Sequence, residues 1–382
     1  MELKIGVQEL VRALARSQGI AERKTTMPIL AHVLLDASKD GVLHVSATDL
    51  DISVSSDHPC AVAASGRVTV PARQLYEIAR SLPENEAVLK RAANNYLEIR
   101  SGTAEFRLVG LPAEDFPALP RFETVPFVTV DPKELLEMIE LTAFAVSSDE
   151  TRYNLNGVFF EPGAAEESGP AVLRAVATDG HRLALAERPI GGDFHMKKGA
   201  ILPRKGLAEM KKLLTEGGEG ETKLGFVENS AVLQRPGAKL VMRLIDGVFP
   251  DYRQVIPKQG EKVFTIGRER FLDTLRRVSL LSGDKAHAVK LELAPGLLKV
   301  LSQSPDLGEA REEVPVVYEG EALKIGFNAR YIIDVLQALA TLDPVAGQDV
   351  VVELADDLSP GVVRPAGESK IRYTAVVMPM RI

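Results

Sequence analysis

The chain of 382 residues repeats itself, and this repetition constrains its fold more than any other feature. Three helix-like segments, VQELVRALA from Val7, PKELLEMIE from Pro132 and RERFLDTLR from Arg268, share one apolar spacing. In the first, Val7, Leu10, Val11 and Leu14 fall at i, i+3, i+4 and i+7, which lays one apolar stripe along a helix, and Leu135, Met138 and Ile139 do the same in the second. A second helix family follows each of these. VPARQLYEIARSL at Val70, ILPRKGLAEMKKLL at Ile201 and IGFNARYIIDVLQAL at Ile325 each join a short strand to an amphipathic helix, with Pro71, Pro203 and Phe327 in equivalent places. ATDLDISV from Ala47 and ATDGHRLA from Ala177 stand 130 residues apart, and two Phe-Pro corners put Pro117 and Pro250 133 apart. The chain reads as three copies of one unit.

The rest of each unit alternates apolar and polar residues in short runs such as HVLLDAS, GVLHVSA and AEFRLVG, broken by turn residues. Each copy is then two helices and about eight strands, an α+β unit with its helices packed on antiparallel sheets. The expected units are 1–126, 127–260 and 261–382, divided in proline-bearing stretches near 120–127 and 256–262. Helices are expected over 8–18, 73–81, 132–141, 204–214, 268–277 and 329–339. The segments 161–171 and 356–370 read as exposed hairpin loops or tips.

Several function classes are disfavoured. The start MELKIGVQELVRALARSQ has acidic residues and no apolar run, so neither a signal peptide nor a membrane span is expected. The single cysteine, Cys60, rules out an intrachain disulfide and a cysteine metal cluster, and points to a buried small residue in a reducing, cytoplasmic setting. GGEGETK at 217–223 lacks the phosphate-loop pattern and reads as a turn. Asp49 and Asp51 could form a metal half-site, but no histidine or carboxylate cluster accompanies them, and the six histidines lack the spacing of a helical zinc site. No metal, cofactor or catalytic residue is expected. The stretch ATDGHRLAL, with Asp179, His181 and Arg182, invites a hydrolase reading, yet Asp179 is better placed to cap backbone amides of its own turn than to orient an imidazole.

Charge gives a positive clue. The whole chain carries −7, whereas the six expected helices hold 14 Lys and Arg against 9 Asp and Glu, a net of +5, which leaves −12 elsewhere. Arg12 and Arg16 are one turn apart on one face, and Arg73 with Arg80 and Lys205 with Lys212 repeat that facing. A basic helical set is a weak phosphate-facing surface; the three glutamates of 132–141 run against the trend.

These features, with MPILAHVLL near Met27, ATDLDI at 47–52, VPARQL at 70–75, RYNLNGVFFE at 152–161, ATDGHRLA at 177–184, LPRKG at 202–206, FPDYRQVIP at 249–257, GFNARYIIDVL at 326–336 and the closing VVMPMRI, resemble the bacterial DNA polymerase III beta subunit family, the DNA sliding clamps. The resemblance covers essentially the whole chain. It implies a non-enzymatic processivity factor: a head-to-tail homodimer whose six units form a ring, with helices lining a hole around duplex DNA. A closed ring holds DNA by topology, so a weak nonspecific attraction suffices, which reconciles basic helices with an acidic chain.

The resemblance also implies a hydrophobic cleft that receives short peptides from the clamp loader, the replicative polymerase, other polymerases and repair proteins. The matching residues are Leu155, Thr178, Gly180, His181, Arg182, Leu183, Pro250, Val255, Asn328, Tyr331, Val376, Met378, Pro379, Met380 and Arg381. Methionine and proline suit an adaptable apolar floor, while His181, Arg182 and Asn328 can hydrogen-bond a peptide. Matching DNA contacts are Lys24, Arg73, Arg204 and Lys205; the matching dimer patch sets Phe106 and Leu108 against Leu280 and Leu281 of the other copy. The chain departs from the family pattern at Gln254, Ala286 and Ile382 in the cleft. It departs also at Thr103 and Glu105, where the family can place basic residues, and at Arg311, which sits among the acids of the opposing side.

Overall fold

The computed structural model describes residues 1–382 except 22–25, 165–170, 190, 191, 193, 195, 197, 218, 219, 259, 284–286, 343–346 and 382. Among the described residues are six α-helices, α1 (Val7–Ser17), α2 (Ala72–Ser81), α3 (Pro132–Thr142), α4 (Arg204–Thr215), α5 (Arg268–Ser279) and α6 (Ala329–Ala338), within two residues of the expected spans at every end. Each begins within two residues of a strand's end, as the strand-into-helix reading of the repeats requires. None is long and apolar enough to cross a membrane.

The apolar stripes lie where their spacing puts them, with one rotation. On α1 the fully buried residues are Leu10, Ala13, Leu14 and Ser17, while Val7 and Val11 are only half-buried. The stripe therefore centres on the alanine and serine side, where small residues let the helix approach its sheet closely. Ser17 satisfies its hydroxyl on the Ala13 carbonyl at 3.2 Å, and Thr142 of α3 does so on Met138 at 2.8 Å, so neither buried hydroxyl is left unpaired. Each leucine buried this way contributes about 1.5–3 kcal/mol.

The chain forms two compact units whose limits do not follow the repeat. The first holds Met1–Pro132 and Lys205–Leu244. It contains a five-stranded sheet in the order Ala61–Ala64, Glu2–Gly6, Glu86–Arg91, Leu97–Ser101, Ala104–Leu108, and an eight-stranded sheet in the order Phe127–Val130, Thr222–Val227, Ser230–Arg235, Ala238–Arg243, Ile52–Pro59, Val42–Thr48, His32–Ala37, Gly66–Pro71. Inside the eight-stranded sheet, Ala238–Arg243 of the second repeat pairs antiparallel with Ile52–Pro59 of the first, with Leu240 opposite Val54 and both fully buried. Ladder hydrogen bonds and a shared apolar layer thus join one repeat to the next.

The second unit holds Lys133–Arg204 and Ile245–Ile382 and uses the same device. Its eight-stranded sheet runs Ala200–Pro203, Gly157–Ala164, Ala171–Thr178, Arg182–Pro189, Arg372–Val377, Gly361–Pro365, Asp349–Leu354, Lys262–Gly267. Leu183 there faces Val376, joining the second repeat to the third. A four-stranded sheet runs Gly308–Pro315, Leu297–Ser304, Ala288–Ala294, Leu323–Asn328.

Three expectations need correction. The stretch 356–370 is not all loop: Gly361–Pro365 is an interior strand, because Val362 and Val363 alternate onto neighbours on both sides and are buried. The 161–171 stretch is strand at both ends, and its middle lies outside the described residues. Cys60 is half-buried, not buried, and partial burial together with Asp40 raises its thiol pKa, which keeps it protonated and unreactive.

Candidate functional site

The opening turn of the site is built by side chains that replace missing backbone partners. Thr178 Oγ1 donates to the Arg182 carbonyl at 2.7 Å and accepts from the Gly180 amide at 3.1 Å, and Asp179 Oδ1 accepts from the amides of His181 and Arg182 at 2.9 and 3.0 Å. The first repeat makes the same turn: Thr48 Oγ1 bonds Ile52 and Leu50, and Asp49 Oδ1 accepts from Asp51 and Ile52. Both carboxylates cap amides, as the sequence implies. The position between them needs a left-handed backbone, φ +88° at Gly180 and +81° at Leu50. A side chain at Gly180 would also meet Arg152 Nη1, the far end of a flexible arginine, at 2.8 Å, so glycine is the unstrained choice there, whereas Leu50 carries the strain in the first repeat.

Arg182 is the hub of the site. Its Nε donates to Asp179 Oδ2 at 3.1 Å, Nη1 to Asp334 Oδ2 on α6 at 2.5 Å, and Nη2 to the Phe144 carbonyl at 2.8 Å. The guanidinium lies over the rings of Phe144 and Tyr331, 5.2 and 4.8 Å from their centroids. His181 stacks on Tyr331 with ring centroids 6.1 Å apart, and its carbonyl accepts from the Met378 amide at 2.9 Å. Burial raises the Tyr331 hydroxyl pKa, with Asp179 adding to it and Arg182 opposing it. Asn328 caps α6, its Oδ1 accepting from the Arg330 amide at 2.9 Å. The Met380 amide bonds the Gly326 carbonyl at 2.8 Å, so the closing segment is tied to the sheet edge and is not a frayed tail. Both oxygens of Asp179 are engaged with backbone and Arg182, so it does not orient His181 as a hydrolytic dyad requires.

Beside this braced turn lies an apolar cluster of Leu155, Val176, Leu183, Ile201, Phe249, Tyr252, Val362 and Val376, with Phe159 stacked on Phe249 at 4.9 Å. Three expected cleft residues, Leu155, Leu183 and Val376, are thus in one layer. Pro250 and Val255 flank Phe249 and Tyr252 and are exposed; Met378, Pro379 and Met380 are half-buried and Arg381 is exposed. Sequence reasoning did not single out Tyr153 and Val248, which are 58% and 85% exposed on adjoining segments: Tyr153 Cε2 comes within 3.3 Å of the space at Gly247, and Asn154 Nδ2 donates to the Val248 carbonyl at 2.9 Å. The signal for Tyr153 was available, since it lies inside the matching string RYNLNGVFFE, whereas Val248 stands just before FPDYRQVIP. Asp334 and Phe144 were invisible as site residues because their role is to hold Arg182, not to line anything. Gln254 Nε2 is bonded to Asp251 Oδ2 at 3.0 Å, while Ala286 and Ile382 lie outside the described residues.

The basic candidates are less free than a count of charges suggests. Arg73 is exposed on α2 and pairs with Glu77 at 2.8 Å; Arg204 is exposed at the start of α4; Lys205 pairs with Asp49. Lys24 lies outside the described residues. Arg16 departs from the expected surface row with Arg12: it is largely buried and binds the Glu216 carboxylate through Nε at 2.9 Å and Nη2 at 2.5 Å, because it fixes the end of α1 to the end of α4. Arg268 similarly spends its guanidinium on the Gly347 and Leu336 carbonyls. Of the expected dimer residues, Phe106 and Leu108 are half-buried on the outer strand of the five-stranded sheet, and Leu280, at the end of α5, is 76% exposed.

Comparison with known proteins agrees with this architecture. Family models of the DNA polymerase III beta subunit match in sequence order, its N-terminal domain over residues 1–120, its central domain over 129–251 and its C-terminal domain over 253–381. The beta sliding clamp of Caulobacter vibrioides is 38% identical over 384 residues, and that of Escherichia coli K12 33% identical over 389, each covering both chains fully. A crystal structure of the Caulobacter crescentus beta sliding clamp superposes with a TM-score of 0.91 at 38% identity, and that of a Bartonella birtlesii sliding clamp bound to griselimycin with 0.91 at 34%, both over the full length of both chains. The chain belongs to the DNA polymerase III beta sliding clamp family, and is a non-catalytic DNA sliding clamp.

Proposed function

We propose that two copies of the chain close head to tail into a ring of six repeats around duplex DNA, in the cytoplasm, placed there by an ATP-driven clamp loader. The ring tethers the replicative polymerase, and in turn other polymerases and repair proteins, by a peptide bound beside the Arg182-braced turn. The observation that carries this reading is the apolar cluster of Leu155, Leu183 and Val376 bordered by the exposed Tyr153, Val248, Pro250 and Val255. Exposed apolar residues grouped over a rigid floor favour an extended apolar segment over a polar substrate. Arg182 and Asn328 act as braces, Arg182 through Asp334 and the Phe144 carbonyl and Asn328 through its Oδ1 on the Arg330 amide, and His181 with the backbone of Thr178, Gly180 and Met378 to Arg381 meets the peptide. The proposed units remain 1–126, 127–260 and 261–382, with Arg73, Arg204, Lys205 and Lys24 facing phosphate and Phe106 and Leu108 meeting Leu280 and Leu281 of the partner.

Two measurements test this. Griselimycin, or a peptide from the replicative polymerase, should bind the chain in a fluorescence-anisotropy titration, and Val255→Asp should weaken it tenfold or more by placing a charge on the apolar rim, as burying an unpaired carboxylate is costly. Loaded protein should remain on nicked circular DNA and run off linear DNA; equal loss from both would overturn enclosure.

A further inference from the structure

We infer that the first repeat carries a second, smaller docking cleft beside the Leu50 turn, for an extended segment of a partner protein in which a large apolar residue adjoins a lysine or arginine. The class of ligand rests on the cleft reading above; the site and its selectivity are additional to it.

The internal repeat locates the site. His32 stands opposite Pro71 as Gly157 stands opposite Pro203, so residues 27–34 correspond to 152–159. The Phe-Pro corners correspond as well, Phe116 with Phe249. Leu30, Leu34, Phe116 and Leu119 therefore take the places of Leu155, Phe159, Phe249 and Tyr252, and they too form one apolar cluster. The turn that follows in the chain is shared, with Thr48 and Asp49 bonded to their own backbone as Thr178 and Asp179 are. It is also anchored alike: the Arg243 amide donates to the Asp51 carbonyl at 2.8 Å, as the Met378 amide does to that of His181 at 2.9 Å. All these residues of the first repeat, with Arg243, belong to one compact unit.

The differences between the two places set the ligand. On the floor, Ser46, Ser53 and Thr69 replace Val176, Leu183 and Ile201, which leaves a smaller apolar area. The rim regains it. Met27 and Leu50 replace Arg152 and Gly180, and they are 44% and 55% exposed. A side chain at Gly180 would meet Arg152, which by the repeat makes Leu50 and Met27 neighbours on one apolar edge. Leu50 holds φ +81° while more than half of it stays in water, so neither backbone preference nor packing within the chain accounts for a leucine there. Strain kept at an exposed apolar residue points to a ligand that covers it. Charge then selects among apolar segments. Asp51 replaces His181 and Ile52 replaces Arg182, so the cationic side of the turn is gone. Asp49 is neutralised by Lys205, whereas the Asp51 carboxylate is exposed and bonds no group among the described residues. An unpaired carboxylate beside an apolar edge favours a cation on the ligand and opposes phosphate.

The test is methionine-methyl NMR on the full chain, in which Met27 reports on the first repeat and Met378 and Met380 on the second. Griselimycin is added to saturation, followed by a capped peptide Gly-Leu-Phe-Lys-Lys or its counterpart Gly-Leu-Phe-Glu-Glu. The lysine peptide should shift Met27 saturably, bind at least about fivefold more tightly than the glutamate peptide, and leave Met378 and Met380 in place. Leu50→Gly, which the turn accepts because Gly180 makes it in the second repeat, should weaken the lysine peptide about tenfold by removing the apolar rim. Asp51→Asn should weaken it about threefold, as expected of an exposed ion pair. If Met27 does not respond, responds equally to both peptides, or responds unchanged in either variant, the first-repeat cleft is overturned. Griselimycin alone tests the reading beneath it: if it moves neither Met378 nor Met380, the second-repeat cleft fails, whatever Met27 shows.

Discussion

Arg182 Nη1 lies 2.5 Å from Asp334 Oδ2, an ion pair that ties the hairpin of the second repeat to α6 of the third. The arginine side chain is only 11% exposed, so Asp334 compensates a charge largely withdrawn from water.

Asp334→Ala should therefore destabilise the chain by about 1–3 kcal/mol, since the guanidinium keeps its bonds to Asp179 and Phe144 but loses its strongest charged partner. It should also weaken griselimycin or peptide binding severalfold, because the Tyr331 and His181 rings rest on the same brace. His181→Ala should weaken binding with little change in thermal stability. Thermal melts alongside anisotropy titrations distinguish the two; a fully stable Asp334→Ala would show that the pair braces nothing.

How much of this was legible beforehand depended on whether a residue's role is local. All six helices were, because a period of 3.6 is written in Leu10 and Leu14 or Leu135 and Ile139 whatever surrounds them. The Asp179 turn was legible for the same reason. What the sequence hid is long-range pairing: nothing local says that Ala238–Arg243 joins Ile52–Pro59, or that Arg16 reaches Glu216 across two hundred positions. The strand Gly361–Pro365 was hidden because its proline and glycine neighbours read as a loop, while its burial comes from flanking strands. Asp334 and Phe144 belong to the same class, since they act on Arg182 from elements distant in sequence.

Leu50 sits at φ +81° in the turn where the second repeat uses Gly180, and is 55% exposed. A leucine in the left-handed region costs roughly 1 kcal/mol, and asparagine tolerates it without the entropy penalty of glycine. Leu50→Asn should stabilise the chain by about 0.5–1 kcal/mol, read as a higher denaturant midpoint at unchanged slope. A loss of stability would mean that Leu50 makes an apolar contact worth more than its strain.

His58 is buried, with Nδ1 2.7 Å from Glu9 Oε1 and Nε2 2.8 Å from Ser56 Oγ. Burial lowers its pKa below the ordinary 6.5 despite the pull of Glu9, and burial lowers that of His32 as well. The unfolded chain thus binds these protons more readily than the folded one. The stability concerned is complete above pH 6.5 and is lost as pH falls from there through the lowered folded value. The melting temperature should fall between pH 7.5 and pH 5, and fall less in His58→Gln. Parallel curves for the two proteins would rule His58 out as a source of the pH dependence.

Lys205 is held by Asp49, so a cation on the helix surface is partly neutralised by the turn beneath it. Removing that carboxylate charge should loosen this hold on Lys205 and raise the positive potential that α4 presents to phosphate. Asp49→Asn is the suitable change, because an amide oxygen can still accept from the Asp51 and Ile52 amides and preserve the turn. The variant should bind duplex DNA more tightly at low salt, with a steeper dependence of log K on log salt, by up to ~0.9 per added phosphate contact. Lys205→Glu should move both quantities the other way and slow loading. Retention on a closed circle should change little in either protein, because enclosure and not charge prevents escape. A shift in circle retention as large as the shift in low-salt affinity would show instead that ionic contacts hold the protein to DNA.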